Sequence, residues 1–133
     1  MARPIIPSTK AIYLCAEVDV EGGMTNLYAL FNAIRPKHYP HTQGLLVCFA
    51  QLIGGLGDVP FYFDIRRAED DRLVRNTDIR VLHFPDRTSQ RQVVVNVEGC
   101  VFDKPGIYLV ELDCDNRWVA DTTIRLEEPD HDQ

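Results

Sequence analysis

The chain has no paired cysteines at metal-binding spacing. Cys15, Cys48, Cys100 and Cys114 lie far apart, no CxxC occurs, and no histidine follows at finger spacing, which argues against a structural zinc site. Serine is scarce: Ser8 and Ser89 are the only two. No GxSxG, HExxH or kinase-type set occurs, so nothing implies an enzyme or a cofactor. Excess positive charge is also missing. The net charge is -6, and a protein whose main task is gripping a phosphate backbone needs clustered cations. No apolar run approaches the length of a membrane-spanning helix. The opening MARPIIPSTK has two prolines and no apolar stretch of signal-peptide type, which leads us to expect a cytoplasmic protein with reduced thiols.

What is present is strand periodicity. Phe61, Phe63 and Ile65 alternate with Tyr62, Asp64 and Arg66, the pattern of a half-buried strand. Val93–Val95 is β-branched and suits a pleated, buried run. After Lys104-Pro105-Gly106, a turn sequence, Tyr108, Val110 and Leu112 alternate again, and Trp118 to Leu126 returns from a polar tip at Asp113–Arg117. Ile12, Leu14, Ala16 and Val18 mark a first strand, and Gly22-Gly23 leads into a second from Thr25 to Ile34. Gly44 to Ile53 reads as a central strand. Arg72–Asn76 and Ile79–His83 read as short strands. About eight or nine strands at short spacing predict an all-β fold, a two-sheet antiparallel β-sandwich, Ig-like or related. Residues 1–10 are expected to form an extended arm, 11–126 the folded domain, and 127–133 an acidic tail.

Four constellations bear on function. Gly54-Gly55-Leu56-Gly57 lacks the following helix and Lys-Ser/Thr pair of a phosphate loop and reads as a mobile hairpin connection. His38 and His41 could ligate a metal with His83 or a carboxylate, but Pro36 and Pro40 forbid the helix that would align them. Asp113 and Asp115 could join such a site or a calcium cup, although turn chemistry accounts for acidic residues at a hairpin tip. Arg66, Arg67, Arg72, Arg75 and Arg80 are interleaved with acids, which describes a solvated mixed-sign face better than a nucleic-acid patch.

The segments Cys15-Ala16-Glu17, Phe31-Asn32-Ala33-Ile34, Val95-Asn96-Val97-Glu98-Gly99 and Pro105-Gly106-Ile107-Tyr108, with the closing hairpin at Trp118–Leu126, resemble a family of small bacterial single-domain proteins of unknown function. The resemblance runs from Ala11 to Leu126. It implies the sandwich and carries no catalytic residue. The leading expectation is a non-enzymatic binding or scaffolding module acting through loops at one end or through an edge strand. Its loops are Arg35–Thr42, Gly54–Val59 and Phe84–Gln90, with His38, Tyr39, His41, Phe84 and Arg87 as contact candidates. A protein partner is expected, with self-association to a homodimer as a variant, and no membrane partner. The competing classes are a metal-dependent binder or enzyme using the loop His and Asp residues, and a nucleic-acid-associated protein.

Overall fold

The computed structural model describes residues 3–129, and every element in that span is a strand. There are ten: β1 Ser8–Glu21, β2 Met24–Leu30, β3 Ala33–Ile34, β4 His41–Ile53, β5 Gly57–Arg67, β6 Arg72–Asn76, β7 Arg80–Phe84, β8 Gln90–Phe102, β9 Gly106–Cys114 and β10 Arg117–Leu126. The expected count of eight or nine is thus too low. One cause is Asn32, where the run expected to be a single strand from Thr25 to Ile34 breaks. β2 pairs with β1 while β3 pairs with β10, so the two halves belong to different sheets.

One sheet has the order β2-β1-β4-β8; the other runs β3-β10-β9-β5-β6, with β7 also on β5. All pairs are antiparallel except β3 with β10. The two sheets share one hydrophobic core. β4 and β8 supply Leu46, Cys48, Leu52, Val93, Val95 and Val97, and β5, β9 and β10 supply Phe63, Ile65, Val110, Leu112, Ile124 and Leu126. Within each strand these residues alternate, the period that puts one set of side chains on one face. Phe102 meets Tyr108 edge to face, with ring centroids 4.9 Å apart, a favoured aromatic geometry.

β4 is buried on both faces. Cys15, Val47 and Phe49 are buried yet stand outside the shared core, on the opposite face of their sheet. The β1–β2 hairpin reaches across this face, where the Thr25 hydroxyl bonds Gln92 Oε1 on β8 at 2.5 Å. Its turn uses Gly22 and Gly23, both at positive φ, as a two-residue hairpin of this hand requires.

The segment expected to be an extended arm is paired from Ile5 onward. Ile5 and Leu56 exchange two backbone hydrogen bonds, at 2.9 and 3.1 Å, and β1 already begins at Ser8. Met1 and Ala2, and the tail residues 130–133, lie outside the described residues. No helix among the described residues is long and apolar enough to cross a membrane.

Candidate functional site

Of the contact candidates, Phe84 is corrected outright. It ends β7 and is 0% exposed. Its ring lies against the backbone of Gly55, where a Cβ would come within 2.8 Å of it. Arg87 Nε donates to Gly54 O at 2.7 Å. The glycine-rich connection, expected to be a mobile hairpin loop, is therefore tied to Phe84, Arg87 and Ile5.

Tyr39 is half-buried against the core, and its hydroxyl donates to Glu127 O at 2.6 Å. Arg35 binds the Glu127 carboxylate through Nε and Nη2 at 2.9 and 2.8 Å. This loop thus clamps the end of β10, and Tyr39 has a structural task that the reading as a contact residue did not foresee. His38 is exposed. His41 opens β4 rather than lying in the loop, and its Nε2 is 2.9 Å from Gln43 Oε1.

Asp113 and Asp115 stand at the opposite end of β9 and β10. Trp118 pairs with Asp113 and Leu126 with Gly106, so roughly 27 Å of strand separates the two ends at about 3.4 Å per residue. His83 pairs instead with Asp58 at 2.7 Å. His38 and His41 are not brought together with the aspartates. Among the described residues no group of three or more His, Cys, Asp or Glu side chains is placed to hold a metal ion. Asp115 and Asn116 both have positive φ, the turn role that suits these residue types.

The arginines have partners. Arg66 faces Asp64 and Glu111, Arg67 forks onto Asp70 at 2.7 and 3.0 Å, and Arg72 approaches Asp103. Arg75 and Arg80 do something different. Their guanidinium groups donate to Glu98 O at 2.8 Å and Val94 O at 3.2 Å. β8 is an edge strand, so the two arginines cover carbonyls that another chain would otherwise pair with.

At the β1 and β10 edges no side chain among the described residues donates to the strand carbonyls in this way. β1 pairs with β2 only from Cys15 onward, and β3 meets β10 only at Arg125 and Leu126. The directions of the free backbone groups follow from the bonds nearby. Arg125 N–H donates to Asn32 O and Glu127 N–H to Ile34 O, each at 2.8 Å. Peptide groups alternate sides along a strand, so Asp121 and Thr123 also turn theirs outward, beyond the reach of β3. On β1, Leu14 O accepts from Phe31 N at 3.1 Å; by the same rule Ile12 turns outward too.

Between these edges lies an open groove of about 720 Å³, whose walls include Ile6, Lys10, Ile12, Tyr13, Trp118 and Val119. A second hollow of about 410 Å³ continues it toward Leu30 and Phe31. Trp118 is 60% exposed and Tyr13 46%. Trp118 Nε1 donates to Asp121 Oδ2 at 3.2 Å. Each wall carries a bulge, at Lys10 on β1 and Val119 on β10, which confines regular pairing on β10 to the stretch after Val119. The Thr9 hydroxyl, also in the wall, has no hydrogen-bond partner among the described residues.

Beside this edge the outer face of β5, β9 and β10 is acidic. Asp121, Glu111 and Asp64 stand in one cross-strand row, with Asp113 opposite Tyr62 alongside. Burial pushes the Asp64 carboxyl above its ordinary value, opposed by Arg66. Glu111 is raised by burial and then by Asp113. Burial pushes the Cys48 and Cys114 thiols up to about 12 and Cys100 up to about 11. They stay protonated at neutral pH and offer no thiolate nucleophile.

The groove residues were not legible from local pattern. Trp118, a large aromatic following a polar hairpin tip with no obvious core role, was the one available signal. No curated protein matches the chain. Residues 10–127, however, match the family described as Family of unknown function (DUF6941), and the chain belongs to that family.

Proposed function

We propose that this protein is a non-enzymatic binding module, a two-sheet β-sandwich of Ig-like or related build, that takes up an extended segment of a partner protein at the open β1/β10 edge. The observation that carries this reading is the outward-turned backbone of Asp121 and Thr123, without a hydrogen-bond partner among the described residues, beside a groove walled by exposed Tyr13 and Trp118. Strand addition uses these parts: main-chain bonds for affinity and alternate side-chain pockets for choice. The other long edge, β8, is covered by Arg75 and Arg80. The β8 edge and the free stretch of β10 are therefore treated differently. We place the protein in the cytoplasm, with reduced thiols.

Magnitudes divide the labour. Asp121 and Thr123 offer two donors and two acceptors, together worth roughly 2–6 kcal/mol at about 0.5–1.5 each. Micromolar binding needs about 8 kcal/mol after the costs of ordering. Apolar burial against Ile12, Tyr13, Val119 and Trp118 must supply the remainder.

Thr123→Pro tests the site. The Thr123 N–H points away from β9, so proline removes a guest's hydrogen bond without removing one from the β9–β10 ladder. Short random peptides selected on the wild-type protein should bind it with micromolar affinity and fail on the variant. The variant's circular dichroism and melting temperature should stay close to wild type. Peptides that bind both proteins equally would overturn the reading.

A further inference from the structure

The edge has two chemically different sides, and resting on the reading above they specify its guest. We infer that the guest is a short strand in which apolar residues alternate with lysine or arginine. A strand paired to β10 at Asp121 and Thr123 would send successive side chains to opposite faces. One set would enter the groove beside Ile12, Tyr13 and Val119, where apolar groups gain by leaving water. The other set would lie on the outer face, next to Asp121 and the row it forms with Glu111 and Asp64.

On that face Arg66 is already engaged by Asp64 and Glu111, at 3.5 and 3.4 Å. Asp113 adds a fourth carboxylate beside the row. Arg125 stands on the same face beyond Thr123, so it is beside Asp121, at the end of the acidic row, that a cationic side chain is favoured and a carboxylate repelled. Lys10 stands on the β1 wall across the groove, whose β10 wall ends at Asp121, so the selection for positive charge centres on Asp121 and the acidic row behind it. The length is bounded too. β3 occupies the edge at Arg125 and Leu126, and the Val119 bulge interrupts it on the other side. About four to six guest residues can pair in the interval.

Trp118 is the chain's one tryptophan and sits in the groove wall, so its fluorescence reports occupancy. The probes are three blocked eight-residue peptides: alternating Val-Lys, alternating Val-Glu, and the Val-Lys composition shuffled to break alternation. Val-Lys should shift Trp118 emission to the blue and bind at least about tenfold more tightly than the other two, with affinity falling as salt rises. Asp121→Asn should reduce the preference for Val-Lys over Val-Glu several-fold, and Thr123→Pro should remove binding.

Equal binding of Val-Lys and Val-Glu, lost in Thr123→Pro, would overturn the charge assignment and leave the edge reading standing. Binding unaffected by Thr123→Pro would overturn both. If sedimentation shows a dimer of the wild-type protein that Thr123→Pro dissociates, the edge is filled by a second copy, and the basic guest is overturned.

Discussion

Phe84 closes over Gly55: the β7 ring sits so near the glycine backbone that a Cβ there would approach three of its carbons at 2.8–2.9 Å. The contact joins the end of β7 to the connection between β4 and β5. It explains why a residue followed by Pro85 and Asp86 is wholly buried.

Gly55→Ala therefore has a defined cost. Gly55 does not have a positive φ, so alanine fits the backbone and would by itself stabilise by about 0.4–1 kcal/mol through the unfolded chain. Overpacking against the ring costs about 1–3 kcal/mol. Urea denaturation should show a net loss of about 1–2 kcal/mol, partly recovered when Phe84→Leu is added. Wild-type stability in Gly55→Ala would dissociate the glycine from the ring.

Tyr39 gives a graded pair of variants. Tyr39→Phe removes only the bond to the Glu127 carbonyl and should cost about 1 kcal/mol. Tyr39→Ala also removes a ring packed on the core and should cost about 2–3 kcal/mol. Neither should alter peptide capture at the β1/β10 edge once the protein is folded. Loss of capture in Tyr39→Phe would return this loop to the binding surface.

The arginine cover on β8 predicts a change in association rather than in folding. Arg75 and Arg80 are exposed or half-exposed and donate to carbonyls at the edge, so their joint replacement by alanine should shift stability by only about 1 kcal/mol. It uncovers the edge strand, and light scattering should detect self-association that rises with concentration. A double variant that associates no more than wild type at high concentration would deny the guarding role.

These cases show which parts of the fold local pattern could reach. Phe61, Phe63 and Ile65 were legible because alternation alone decides which face they occupy, and the same holds for Tyr108, Val110 and Leu112. Phe84 was not, because its burial depends on Gly55, remote in sequence. The division of β2 from β3 at Asn32 depends on which strands lie beside it. An open edge is harder still. Whether Thr123 has a partner is set by where β3 stops, a property of pairing that no short window of residues contains. For the arginines, the interleaved acids suggested a solvated mixed-sign face, whereas Arg67 and Asp64 are buried, and nothing in the pattern marks Arg75 and Arg80 as donors to a strand in the other sheet.

Four carboxylates, Asp64, Glu111, Asp70 and Asp86, divide into two pairs whose effects on stability have opposite sign, and this yields a pH profile. Asp64 and Glu111 have folded values raised above their ordinary 3.8 and 4.5, chiefly by burial. A raised group contributes stability that is fully present below its unfolded value and is lost as pH rises through its folded value. Asp70 is held at about 2 by its hydrogen bonds from Arg67, and Asp86 is lowered by Thr88. A lowered group contributes stability that is present above its unfolded value and is lost as pH falls through its folded value. Mild acidification from neutrality toward the ordinary carboxylate range should therefore stabilise the protein, and further acid should destabilise it. Asp64→Asn should flatten the upper limb, since that side chain can no longer ionise. Asp70→Asn should be less stable than wild type at pH 6, with the difference closing as the pH approaches 2. Urea midpoints across that range check both limbs, and an upper limb left intact in Asp64→Asn would remove this carboxyl as its source.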